Sequence, residues 1–174
     1  MTYYFTLPGL GGSDENHWQS LFESALPNIK RIEQGDWDNP ACEEWIKTVD
    51  EAIDGYDLSE VVFITHSLGG ITFSHWFNKY QKKIKGALIV APPNLDVAPS
   101  ELGLDSFLPV PKNQIPFPTI LVASTNDPWA DLDASKSIAE SWGSDFVNAG
   151  ALGHINTASG IGEWPEGLKI LEKL

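Results

Sequence analysis

Ser67 closes the run Val61-Val62-Phe63-Ile64-Thr65-His66, and Leu68-Gly69-Gly70 opens a helical pattern directly behind it. A serine at such a strand–turn–helix bend has its hydroxyl exposed on a tight turn, with the amides of the helix start beside it. That hydroxyl is a poor nucleophile near neutral pH unless a base lies within hydrogen-bond reach and a third group orients the base. Two later segments offer those roles. Asp127 lies in Ser124-Thr125-Asn126-Asp127-Pro128-Trp129, directly after Ile120-Leu121-Val122-Ala123, and Pro128 favours an extended turn that holds a carboxylate at a strand end. His154 lies in Ala151-Leu152-Gly153-His154-Ile155-Asn156. Nucleophile, acid and base in this chain order form one of the known orders of an acyl-transfer triad. The competing readings are helix capping for Ser67 and an Asx-turn or cap for Asp127. Asp131 and Asp133 also stand near; both read as caps of the helix beginning near Ala134.

Acyl transfer also needs N–H donors for the developing oxyanion. The Leu68 amide, at a helix start, is one candidate, helped by the helix dipole. The loop Pro8-Gly9-Leu10-Gly11-Gly12-Ser13 follows the first apolar run and should supply a second, from Gly9 or Leu10. His17, Trp18 and Trp129 are candidates for lining the substrate site. His66 is expected to point away from the side that Ser67 faces, and His75 to be structural. Thr65 departs from the pattern, because the leading position of such an elbow is normally glycine. Its side chain must fit sideways or open the turn, and a displacement near 1 Å can cost on the order of a hundredfold in rate. This predicts a slow or selective enzyme rather than an inert one.

Other chemistries fit less well. Gly9-Leu10-Gly11-Gly12-Ser13-Asp14 echoes a dinucleotide fingerprint, with Glu33 further on, but Asp14 puts a negative charge where the pyrophosphate would sit. Neither a Gly-Lys-Ser/Thr phosphate loop nor a His-Glu-x-x-His pair occurs. No metal and no cofactor are expected.

The elements that must position these residues alternate. Candidate strands are Tyr3–Leu7, Ile29–Glu33, Val61–Thr65, Ala87–Ala91, Thr119–Ala123 and Asp145–Asn148. They are short continuous apolar runs, as in strands covered on both faces. Candidate helices are Asn16–Ala25, Ala41–Ile53, Leu68–Tyr80, Asp133–Trp142 and Pro165–Leu174. Strand and helix in alternation predict a parallel, doubly wound α/β sheet whose ligands bind at the carboxyl ends of the strands. The segment 92–118 breaks the alternation with seven prolines; it reads either as a lid or as a packed crossover.

Residues 1–174 are long enough for a single well-cored domain, and 42% hydrophobic content with seven tryptophans indicates a globular chain. The formal net charge of −13 disfavours nucleic acid and anionic membrane surfaces as partners. Cys42 is the only cysteine, so neither an intrachain disulfide nor a cysteine zinc site can form. With no leader-like or membrane-length apolar run, a cytoplasmic location is the expectation.

The chain resembles the small serine hydrolase family typified by YdeN and retinoblastoma-binding protein 9. The resemblance rests on Pro8-Gly9-Leu10-Gly11-Gly12-Ser13 with His17-Trp18, on His66-Ser67-Leu68-Gly69-Gly70, and on Ser124-Thr125-Asn126-Asp127-Pro128. It continues through Gly153-His154-Ile155-Asn156 to Ser159-Gly160, Gly162 and Trp164. It implies a compact α/β-hydrolase fold with a parallel sheet of about six strands in the order 2-1-3-4-5-6. It also implies Ser67, Asp127 and His154 as a triad acting on small acyl esters. The alternatives are hydrolysis of amides or other bonds, and a non-catalytic module that binds another protein, its partner unknown.

Overall fold

The most uniformly apolar runs of the chain have no face suited to water and fold as central strands buried from both sides. The two edge strands, Ile29–Arg31 and Asp145–Asn148, carry charged residues and stay partly exposed. In the computed structural model, which describes residues 1–174, the strands are β1 (Tyr3–Leu7), β2 (Ile29–Arg31), β3 (Val61–His66), β4 (Gly86–Val90), β5 (Thr119–Ala123) and β6 (Asp145–Asn148). They form one sheet in the order β2-β1-β3-β4-β5-β6, every pair parallel, as the resemblance implies. Every residue of β3, β4 and β5 is buried, and Ser67 and Asp127 follow the ends of β3 and β5. The helices are α1 (Trp18–Ala25), α2 (Cys42–Ala52), α3 (Leu68–Tyr80), α4 (Leu132–Trp142) and α5 (Pro165–Leu171).

Alternate strand residues sort into two cores. Phe5, Leu7, Val61, Phe63, Ala87 and Ile89 pack with α2, α3 and α4. Val62, Ile64, Leu88, Val90, Ile120 and Val122 pack with Trp18 and Phe22 of α1 and Leu171 of α5. This is the period-2 alternation of a strand, used on both faces.

Several boundaries move from expectation. Strand β2 stops at Arg31 rather than Glu33, and α5 ends at Leu171. Helix α1 begins at Trp18 rather than Asn16, because the His17 side chain caps it by accepting the Gln19 N–H at 3.2 Å. Asp131 caps α4 through the Ala134 N–H at 2.7 Å, whereas Asp133 lies inside the first turn and caps nothing.

Residues 92–118 form neither a strand nor an α-helix; three short 3₁₀ turns cover Leu95–Val97, Ser100–Leu102 and Asp105–Phe107. Leu95, Leu104, Phe107 and Ile115 are buried in the core that contains α2 and α3. The segment is therefore packed, and it also walls the cavity described below. No helix is long and apolar enough to cross a membrane.

Candidate active site

The site starts from a bend the backbone resists. Ser67 has φ 52° and ψ −126°, outside the regions a non-glycine residue normally occupies, at a cost of about 1–3 kcal/mol. Its neighbours hold it there: the Ser67 N–H donates to Val90 O, and Ser67 O accepts from the Gly70 N–H, both at 2.9 Å. Immediately behind, α3 crosses the end of β1 so closely that a Cβ on Gly69 would lie 2.0 Å from Leu7 O. Thr65 fits without a break in the strand, pairing with Leu7 on one side and Ile89 on the other. Room for its side chain comes from Gly70, where an added Cβ would lie 3.3 Å from Thr65 Oγ1. That Oγ1 is buried and has no hydrogen-bond partner.

The turn after β5 and the loop after β6 bring the other two groups to the hydroxyl. His154 Nε2 lies 2.8 Å from Ser67 Oγ, and His154 Nδ1 lies 3.0 and 2.9 Å from the two oxygens of Asp127. The Asp127 side chain is 3% exposed and that of His154 is 10% exposed, so the line of contacts is largely shielded from water. Asp127 Oδ1 also accepts the Trp129 N–H at 2.9 Å, fixing the carboxylate across the turn after β5.

That turn and the His154 loop are joined by groups to which the sequence reading gave no role. Asn126 Oδ1 accepts the Gly153 N–H at 2.7 Å and the Ser124 hydroxyl at 2.9 Å, and Ser124 Oγ accepts the Leu152 N–H at 2.9 Å. Their signal was only their place in Ser124-Thr125-Asn126-Asp127, next to the carboxylate. His66 requires correction. It does not turn away from the site: its ring centroid is 5.0 Å from that of His154, and its Nε2 contacts His154 O at 2.9 Å. A carbonyl can only accept, so Nε2 carries the proton. Burial, with His17 and His154 nearby, holds the His66 pKa well below the usual histidine range and keeps the ring neutral.

A cavity of about 430 Å³ opens beside Ser67 and is bordered by Leu10, His17, Leu68, Trp129 and His154 among others. Leu68 is the first residue of α3, where an amide has no helical carbonyl behind it. In the strand-one loop the Gly11 and Gly12 amides are taken by Trp37 O and Gly9 O, while those of Gly9 and Leu10 have no protein acceptor. Leu10 borders the cavity; Gly9 lies behind it, so close that an added Cβ would be 2.8 Å from Ser67 Cβ and 3.0 Å from Leu68 N. Trp129 is 37% exposed and stands 6.4 Å from the His154 ring. His17 is 4% exposed, and burial lowers its pKa to about 4. Trp18 is not a cavity residue. It is fully buried against Phe22 and Trp164, with its indole N–H donated to Ile155 O at 2.8 Å. No group of three or more His, Cys, Asp or Glu side chains is arranged to hold a metal ion.

The sequence model of the family described as serine hydrolase matches residues 4–173. The chain belongs to that serine hydrolase family. Among solved structures, this serine hydrolase is similar to a protein from Pectobacterium atrosepticum described as a YdeN-like hydrolase. The identity is 31%, the TM-score 0.87, and the match covers 99% of this chain and 90% of the other. The ydeN gene product of B. subtilis shares the fold at 16% identity and TM-score 0.79, over 99% of this chain and 98% of that one. Est1E of Butyrivibrio proteoclasticus, whose structure holds ferulic acid, shares it at 13% identity and TM-score 0.72, over 99% and 89% of the two chains. Comparison with curated proteins finds no significant match.

Proposed function

We propose that this serine hydrolase is a carboxylesterase acting on small acyl esters through a Ser67–His154–Asp127 triad. The observation that carries the reading is the contact of His154 Nε2 with Ser67 Oγ at 2.8 Å, while Nδ1 of the same ring faces Asp127. With Nδ1–H donated to the carboxylate, Nε2 is free to accept a proton. As Ser67 Oγ attacks the ester carbonyl, its proton passes to Nε2, and Asp127 stabilises the imidazolium that forms. The oxyanion is received by the Leu68 amide and by that of Leu10, with Gly9 behind them. Nε2 then gives its proton to the alcohol oxygen, which departs and leaves an acyl-Ser67. A water molecule deprotonated by the same nitrogen hydrolyses this intermediate. The cavity wall formed by Leu95, Ala98, Leu102 and Leu104 suits the acyl chain.

A fluorophosphonate probe should label Ser67, and a short-chain p-nitrophenyl ester should give a burst of p-nitrophenol. Both should disappear in Ser67→Ala. Full esterase activity in that variant would refute the assignment. The rival reading is a non-catalytic module that binds a protein through its acidic surface or residues 92–118. It draws on Thr65 and on the protein binding described for members of the family that the chain resembles. Its first ground weakens because Gly70 makes room for the threonine while Thr65 stays paired on both sides.

A further inference from the structure

The cavity beside Ser67 has two chemically different walls, built from opposite faces of the sheet. One is apolar: Pro93, Leu95, Ala98, Leu102 and Leu104, with Leu95 and Leu104 rooted in the core that contains α2 and α3. The other is polar: Gly12, Asp14 and His17 from the chain entering α1, and Asn156 and Thr157 from the loop that carries His154. Lysine and arginine are absent from the lining.

Asp14 is held firmly in the polar wall. Its Oδ2 accepts the Thr157 hydroxyl at 2.8 Å and its Oδ1 accepts the Asn16 N–H at 2.8 Å. These bonds favour the charged form and hold the carboxyl below its usual range. No cation of the same wall neutralises it. His17 stays neutral in its buried setting, and Arg31 is engaged by Glu23 at 3.0 Å and by Ser13 O at 3.0 Å. Asp14 is thus the fixed charge of this wall.

The proposed chemistry decides which half of a substrate meets it. His154 Nε2 must hand its proton to the departing alcohol oxygen, so the alcohol portion lies on the His154 side of Ser67. That side is continuous with the polar wall: the His66 ring lies 5.0 Å from His154 and 4.7 Å from His17, and Thr157 follows His154 in the same loop.

We propose that the polar wall is the leaving-group subsite, and that Asp14 makes it select esters whose alcohol portion carries a positive charge. The inference rests on the esterase reading above and names its substrate class. Because Asp14 is open to solvent, its attraction is screened. The expected preference is therefore modest, roughly threefold at low ionic strength, and it shrinks as salt is added.

The test uses butyrylcholine and 3,3-dimethylbutyl butyrate, which share the acyl group and the shape of the alcohol but differ by one charge. The native protein should show a kcat/KM ratio of roughly three in favour of the cation at low salt, falling towards one at high salt. In Asp14→Asn, whose one oxygen can still accept the Asn16 N–H while its NH2 group donates to the Thr157 hydroxyl oxygen, the ratio should be near one at any salt concentration. A native ratio of one or below overturns the inference, as does a preference that persists unchanged in Asp14→Asn. Fluorophosphonate labelling separates the two levels. A native protein that is labelled at Ser67 but hydrolyses neither ester, or shows no charge preference, removes only this inference. One that is neither labelled nor active on either ester removes the esterase reading with it.

Discussion

Asp127 faces His154 Nδ1 with both oxygens, at 3.0 and 2.9 Å, while the Trp129 amide fixes the carboxylate from the other side. In the proposed mechanism this selects the tautomer in which Nε2 can take the Ser67 proton. Asp127→Asn should keep the packing but lose that tautomer, so kcat should fall on the order of 10⁴-fold with KM little changed. Steady-state kinetics on a p-nitrophenyl ester would show it; a loss below tenfold would move the orienting role elsewhere. Thr65 makes a second prediction at this scale. Its buried Oγ1 has no partner, so Thr65→Val should stabilise the fold by about 1 kcal/mol, measured by urea unfolding. Ser67, Asp127 and His154 were legible in sequence because each follows a strand or its turn, and the topology brings those ends to one edge. His66 was misread because side-chain alternation holds only within a strand, and Ser67, at φ 52°, lies outside strand geometry. Trp18 was misread because its decisive contact, with Ile155 O, spans 137 residues.

At the scale of elements, the relative placement of acid and base depends on how the turn after β5 is joined to the loop after β6. Asn126 is the join nearest the base: one side-chain oxygen serves both Gly153 N and the Ser124 hydroxyl, which in turn accepts from Leu152 N. Asn126→Ala leaves both donors without that acceptor and frees the His154 loop to drift. A shift near 1 Å at the base predicts a fall in kcat of roughly a hundredfold with KM largely kept. Equal losses in kcat and stability, with kcat recovered on cooling, would make Asn126 merely structural. The other critical junction is α3 against β1, where a Cβ on Gly69 would overlap Leu7 O. Because the obstacle is backbone rather than a movable side chain, Gly69→Ala should destabilise by about 3 kcal/mol or more despite alanine's better helix propensity, as thermal unfolding would show. The central strands were readable because they are apolar throughout. Residues 92–118 were not, since prolines mark where regular structure stops without indicating which apolar side chains turn inward. Leu95, Leu104 and Phe107 do so, while Val97 is 73% exposed.

Taken as a whole, the molecule balances acidity at its surface against neutral histidines inside. Its formal charge of −13 implies self-repulsion that eases as carboxylates take up protons. His17, His66 and His75 act in the opposite direction, because burial lowers the pKa of each. A histidine that stays neutral when folded but protonates when unfolded makes the unfolded chain bind more protons, so stability falls as pH falls. For His17 the window runs from the ordinary value of 6.5 down to about 4; below that the folded ring protonates too and the slope vanishes. Comparing the native protein with His17→Asn removes the carboxylate contribution common to both, and asparagine can still cap α1. Between pH 6.5 and 4 the native protein should lose stability faster than the variant, by up to about 1.4 kcal/mol per pH unit where the unfolded histidine is mostly protonated. Parallel urea-unfolding curves across that range would mean that His17 titrates as an exposed histidine does, and that the polar wall does not keep its histidine neutral beside Asp14.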